Sequence, residues 1–513
     1  MNAVPWSAQL RGLAARFGAA PAVTAQHGGT LSYAALADRA HALAEMLAAR
    51  GVAAGQPVAI LLPNCAEAVW CAYGVRLAGA ADTPLGWGAT DQEVAWAARL
   101  AGFATVITTA DRAAAMRALG LQALLPGSVP AQPAARAAWA AAPAEATGRL
   151  LFTSGTTGKP KGVRYSHGRR WIAEQLLRAT LPFTPARGSR LLLVTPFAHG
   201  ASLLTFAWCE YGGEVLLEGG VDPARVRTLL RRGGVEALFA PPTVIAKLAA
   251  ALEGERFEGL RCVFTGTQPL PAALYAKACA MFGPVVRVTY GKTECFNPIA
   301  VLEAADTNDW FAQQPLPPGA CVGWPAPGVA IEIRDGQVWL RAQHLCDELL
   351  GPDGPIPHEA GWHATGDLGC FDERGRLVLL GRVADVIKTG GYRVNPDEIE
   401  SLLAGLPGAG AMCVAGLPSD YWGEIILAVA EAAPPGWAEA VRARVAVLSR
   451  HKQPRLFATL AALPRNAQGK ISRREVVRQV LASYRLTDGA HPVLLPAREE
   501  EPPWTTSDSA APA

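Results

Sequence analysis

The 513 residues hold no excess of charge of either sign, no cysteines paired at metal-binding spacing and no apolar run long enough to cross a membrane. Each absence removes a class of function. Lys and Arg number 47 against 44 Asp and Glu, a formal net charge of +3, which is too balanced for a chain that grips nucleic acid or an anionic membrane. The ten cysteines (65, 71, 209, 262, 279, 295, 321, 346, 370 and 413) form no C-x-x-C pair and no cluster with histidine at zinc spacing. They read as buried apolar side chains in a reducing compartment, so a cytoplasmic location is expected. The most apolar window, "LLLVTPFAHGASLLTFAWCEYGG", is broken by Pro196, His199 and Gly200 before a span of ~20 residues is complete. The N-terminal segment carries Arg11 and Arg16 and lacks the apolar centre of a secretory signal. A soluble protein acting on small molecules is the expectation.

Half of the residues are hydrophobic, and single cores rarely grow past about 250–300 residues, so at least two domains are expected. Helix-type and strand-type patterns alternate. "YAALADRAHALAEMLAARG" sets Leu36, Leu43 and Leu47 on one helical face and stops at Gly51. "VAILLP" follows as a buried strand, and Asn64 with Glu67 predicts a capping box for the next helix. The same alternation continues through "RLLLV", "VRTLLRR", "ALFA", "VIAKLAAAL", "RCVFTG" and "VVRVTYG", the pattern of an α/β, doubly wound fold. From about Gly323 the texture turns to short strands of antiparallel or barrel-like type, and near Asp385 a smaller domain begins. The stretch from Asp488 is rich in proline and charge and is expected to be a disordered tail.

One loop, "LLFTSGTTGKPKGVRYSHG" (Leu150 to Gly168), concentrates the residues that hold phosphate: glycines that admit backbone N–H groups, hydroxyls and lysines. It is not a P-loop. Gly155 and Gly158 enclose two residues where that motif needs four, and Pro160 after Lys159 supplies neither a hydroxyl nor an N–H.

Six further motifs follow in order: "TPFAHG" from Thr195, "FTGTQPLP" from Phe264, "TYGKTE" from Thr289, "WHATGD" from Trp362, "GRVADVIKTGGYRVNPDEIE" from Gly381 and "PRNAQGKISRRE" from Pro464. Together with the loop they resemble the adenylate-forming superfamily of acyl-CoA synthetases, peptide-synthetase adenylation domains and beetle luciferases. The resemblance implies a large N-terminal domain (1–382) of doubly wound sheets with a small distorted β-barrel, a mobile α+β C-terminal domain (383–487) and the tail 488–513. It also implies that a carboxylate attacks ATP to give an acyl-adenylate, with Mg²⁺ neutralising phosphate charge.

The site residues are carried over motif by motif. Thr153, Ser154, Gly155, Thr156, Thr157, Gly158 and Lys159 would clamp the ATP phosphates, and Gly266, Thr267 and Gln268 would lie along the adenine. Tyr290 would stack on the base, Thr293 would reach the α-phosphate, and Glu294 would hold Mg²⁺, a hard cation that prefers oxygen. Asp367 and Arg382 match the ribose partners, Asp385 the hinge, and Lys470 the lysine that reaches the carboxylate and α-phosphate. Lys388, Gly390, Gly391 and Arg393 would border the pantetheine channel. His199, Ser202, Gly291, Lys292 and Cys295 would line the acyl pocket, where Lys292 would either pair with a second anionic group on the acid or run out to solvent. "VIKTGGYRVNPDEIE" resembles the acyl-CoA synthetase branch, so coenzyme A is the expected acceptor. A carrier-protein pantetheine stands second, and a regulatory nucleotide binder without catalysis stands third.

Overall fold

The computed structural model describes residues 2–26, 29–134, 139–153, 161–408, 410–431, 433–465 and 470–497; of His199 only the backbone is described. Ser154, Gly155, Thr156, Thr157, Gly158 and Lys159 therefore lie outside the described residues. The chain divides between Leu379 and Leu380 into two compact units.

In the larger unit, helix α1 (Tyr33–Ala49) starts where Ser32 Oγ accepts the Ala35 N–H at 3.2 Å and buries Leu36, Leu43 and Leu47 on one face. It is followed by β1 (Pro57–Leu61), α2 (Ala66–Leu77), β2 (Ala81–Pro84), β3 (Thr147–Thr153) and α3 (His167–Ala179). Strands β1, β2 and β3 run parallel at the centre of an eight-stranded sheet. A thirteen-stranded sheet contains β4 (Arg190–Leu193), which leads towards α4 (Ser202–Cys209), and then β5 (Val235–Phe239), β6 (Cys262–Gly266) and β7 (Val286–Tyr290) as parallel neighbours. The parallel strands are largely apolar because both faces are covered. Leu191 and Leu193 enter a core layer of helices shared with Val58 and Ile60 of the first sheet, while Leu192 and Val194 enter a second core on the other face. The antiparallel strands after Gly319, including β8 (His363–Phe371), are joined edgewise to the second sheet.

The layer between the sheets carries buried charge. Asp82 on β2 pairs with Arg170 and, at 3.0 Å, with Arg149, while Glu174 binds Arg76 at 3.1 Å and Arg170 at 3.0 Å. All five side chains are within a few per cent of complete burial. Beside them His167 accepts from the Trp6 indole at 2.9 Å through Nδ1, which leaves Nε2–H to donate to Gly79 O at 3.0 Å. Burial, reinforced by Arg170, pushes this imidazole down to about 4, so it is neutral at pH 7.

The smaller unit is a five-stranded sheet of β9 (Ile387–Thr389), its hairpin partner Tyr392–Val394, and, after helix α5 (Pro396–Leu403), strands β10 (Met412–Ser419), β11 (Gly423–Glu431) and β12 (Leu456–Leu460). Helix α6 (Arg473–Ser483) packs Val476 and Val480 against this sheet. The stretch expected to be disordered from Asp488 is ordered as far as Pro496. Asp488 accepts from the Ser419 hydroxyl at 2.6 Å and the Asp420 N–H at 2.7 Å, and Val493–Pro496 pairs with Tyr484–Thr487. An Asp that collects nearby hydroxyl and backbone donors fixes the turn, and the strand after it is too short to show in composition. Among the described residues no helix is long and apolar enough to cross a membrane.

Candidate active site

Ligands of open parallel sheets bind beyond the carboxyl ends of the strands. There the second sheet delivers "TPFAHG" after β4, "APPT" after β5, "FTGTQP" at the end of β6 and "TYGKTE" at the end of β7, side by side. The packing is close. A Cβ on Gly266 would meet Thr289 O at 2.4 Å, so this turn excludes any larger residue. Thr267, next to it, takes φ +69°, a left-handed conformation that strains a β-branched residue. Its side chain is exposed and that of Gln268 half-buried.

The stretch that follows β7 is pinned from two sides. Tyr165, whose ring stacks on Phe296 at 4.0 Å, donates its hydroxyl to Thr293 O at 2.7 Å. The Cys346 N–H binds Glu294 O at 2.8 Å. The backbone of the proposed phosphate and Mg²⁺ residues is thus fixed while Thr293 and Glu294 stay half-buried. Tyr290, almost buried, donates its hydroxyl to Asp367 Oδ2 at 2.5 Å, which brings the proposed base and ribose partners together across 77 residues of sequence.

Lys292 is paired within the protein. Its Nζ lies 3.3 Å from Asp367 Oδ2, and both side chains are at most one-tenth exposed. A nearly buried ammonium takes the carboxylate within reach, so Lys292 does not run out to solvent. Other residues expected at the acyl pocket are enclosed by the protein. Ser202 is wholly buried and accepts from Arg149 Nη2 at 2.7 Å, and Cys295 is wholly enclosed, its thiol pushed up by burial. The space at Gly291 is filled by the side chain of Asn297, whose Oδ1 would lie 1.7 Å from an added Cβ. His199 sits in the turn Phe197–Ala201.

Three residues of the site went unrecognised in sequence. Asn64 does not cap α2; its amide instead donates to Thr195 O and Glu218 O, both at 2.8 Å, and its Oδ1 accepts the Phe197 N–H at 2.8 Å. It therefore holds the turn that carries His199. Asn297 showed no motif signal. His363 alternates with Thr365 and Asp367 on the inner face of β8, a period-two signal that was legible in "WHATGD". Burial, opposed by Glu294 and reinforced by Lys292, lowers it to about 4, and among the described residues its buried Nε2 has no hydrogen-bond partner.

In the smaller unit Asp385 closes the turn Val383–Asp385, five residues past the division, and Arg382 is exposed just before it. Gly390 and Gly391 form the β9 hairpin turn at φ +54° and +82°, with Lys388 and Arg393 exposed as a register pair across it. Lys470 is half-buried, next to Ile471, which bridges Arg465.

A family model described as AMP-binding enzyme matches residues 10–339. The chain belongs to this family. The long-chain-fatty-acid–CoA ligase FadD13 of Mycobacterium tuberculosis is 30% identical to this AMP-binding enzyme over 482 residues, covering 88% of this chain and 94% of that protein. The o-succinylbenzoate CoA synthetase MenE of Bacillus subtilis, solved with its acyl-adenylate intermediate, superposes with a TM-score of 0.81 at 26% identity, covering 93% of this chain and 98% of that one. A structure of the same synthetase with ATP and magnesium ion gives a TM-score of 0.79 at 26% identity, covering 91% of this chain and 98% of that one. The AMP-binding enzyme described here is an AMP-forming acyl-CoA ligase that uses ATP, Mg²⁺ and coenzyme A with a small-molecule carboxylic acid.

Proposed function

We propose that Tyr290, Thr293, Glu294, Asp367 and, from the smaller unit, Lys470 carry adenylate formation, and that the thiol of coenzyme A is received beside the Gly390–Gly391 turn. Among the described residues no three carboxylate, thiol or imidazole groups form a metal cage. That suits Mg²⁺, which binds through one or two carboxylates plus substrate phosphates. Glu294 would hold it, and when bound it supplies charge neutralisation at the phosphates. Asp367 would orient the ribose while Lys292 holds its carboxylate at 3.3 Å, and Lys470 would place positive charge where the carboxylate meets the α-phosphate. The domain limits 1–382 and 383–487, with Asp385 as hinge, are part of the same proposal.

The observation that carries the acceptor is a cleft of about 260 Å³ within the smaller unit, lined by Gly390, Tyr392, Trp422, Arg450, His451 and Arg455. Tyr392 stacks on His451 at 4.2 Å, and the Arg455 guanidinium lies 4.0 Å above the Trp422 ring. Cations for phosphate and flat rings for a base, next to a turn without side chains, suit the phosphorylated nucleotide and arm of coenzyme A. A cytoplasmic location is supported by ten cysteines that are all free thiols.

Two outcomes follow. With palmitic, 2-succinylbenzoic and ferulic acids as a panel, at least one acid should support pyrophosphate exchange and thioester formation. Arg455→Ala should then raise KM for coenzyme A by about 10–100-fold, the worth of a hydrogen bond to a charged group, and leave KM for pantetheine unchanged. Equal shifts for both thiols would refute the nucleotide seat, and acyl-AMP without thioester would favour a carrier-protein acceptor. Lys292→Met should raise KM for ATP by about 10-fold or more with every acid that the enzyme accepts, because a charge-assisted bond to Asp367 is lost. An effect confined to a dicarboxylic acid would show that Lys292 acts on the acid instead.

A further inference from the structure

Arg473, three residues past Lys470, makes a contact that the reaction as described does not use. At the first turn of α6 its Nε donates to Val414 O at 3.0 Å, Nη1 to Asp385 at 2.6 Å, and Nη2 to Asp397 and, at 2.7 Å, to Glu400. One planar fork thus binds three carboxylates and a carbonyl from three separate stretches: the turn Val383–Asp385, helix α5 and strand β10. About four-fifths of the Arg473 side chain is shielded from solvent. The fixed geometry of a guanidinium makes it a rigid joint, whereas a lysine would bind as a flexible point charge.

The position of this joint in the chain matters. Ile471, next to Lys470, bridges Arg465, and the chain leads straight on into α6 at Arg473. Lys470 has four rotatable bonds, so its ammonium reaches a defined point only if its backbone is held. Arg473 holds the backbone just after it to the turn that contains the proposed hinge.

We propose that Arg473 is a positioning residue that locks the segment Lys470–Arg473 to the Asp385 turn, so that a backbone change at the hinge carries Lys470 with it as one rigid piece. The Asp397, Glu400 and Val414 contacts anchor the arginine, and the Asp385 contact transmits the movement. The inference rests on the proposed roles of Lys470 and Asp385. It does not depend on which thiol accepts the acyl group.

The test uses the full chain, with the acid that the panel identifies, and measures two rates: pyrophosphate exchange for adenylate formation, and thioester formation from supplied acyl-AMP and coenzyme A. Arg473→Gln and Asp385→Ala should each slow exchange by about 10–100-fold with KM for ATP unchanged, as expected when a reacting group is misplaced by a fraction of its length. The double variant should be no slower than the worse single one, because both remove the same link. Thioester formation by Arg473→Gln should stay within about threefold, and Arg473→Lys should recover only part of the exchange rate. Multiplicative losses in the double variant, or equal losses in both half-reactions, would overturn the proposal. Should Arg473→Gln fail to fold, Asp385→Ala decides alone: unchanged exchange in that folded variant overturns it. A wild-type enzyme that forms acyl-AMP but no thioester would refute the coenzyme A assignment while leaving the exchange comparison intact.

Discussion

Lys470→Ala is expected to slow adenylate formation by on the order of 10³-fold, the effect of losing one charged donor aimed at a developing oxyanion, and to leave conversion of supplied acyl-AMP to thioester nearly unchanged. The asymmetry follows from chemistry. In the first step the carboxylate and the α-phosphate, both anionic, must approach each other; in the second the phosphate is only a leaving group. Gly391→Trp should show the opposite pattern. Gly391 sits at φ +82°, and no atom lies within 4 Å of an added Cβ, so an indole has room to stand in front of the turn without displacing the fold. Positive φ strains any side chain, by about 1 kcal/mol or more, so Gly391→Ala is the necessary control. The alanine variant should lose a few-fold in thioester formation and the tryptophan variant on the order of 100-fold, each measured from the same acyl-AMP. Parallel losses in both half-reactions for both Lys470→Ala and Gly391→Trp would show that the smaller unit acts as a fixed lid.

The second large effect lies in the interior. Asp82→Ala is expected to cost about 3–5 kcal/mol, because Arg149 and Arg170 would both remain buried with their shared carboxylate gone. Arg149→Met should cost far less. Arg149 is already disfavoured as a cation: burial outweighs Asp82 and lowers it to about 10, with Arg170 adding repulsion. Removing it leaves Asp82 paired with Arg170 and relieves that repulsion, at the loss of the bond to Ser202. Thermal midpoints of the two variants at pH 7.5 check this. Similar destabilisation by both would mean that the network behaves as one unit and that its members cannot be separated.

The comparison of Asp82 with Lys292 shows why some of this protein was legible in its residues and some was not. The two sheets, the helix over Tyr33–Ala49 and the strand ends that carry the motifs follow from local patterns: continuous apolar runs for strands covered on both faces, and a 3.6-residue period ending at a glycine with φ +76° for the helix. Those patterns act between residues close in sequence, so order along the chain is enough to express them. Charged and amide side chains choose partners by distance in space. Lys292 meets Asp367 across 75 residues, Arg473 meets Asp385 across 88, and Asn64 holds Thr195 across 131. No local period encodes such pairs; each is set by which strands lie side by side in the finished sheets. The sequence alone therefore determined the elements and the kind of chemistry at their ends, while only the tertiary structure decided which carboxylate each buried cation neutralises, because that choice depends on burial and proximity.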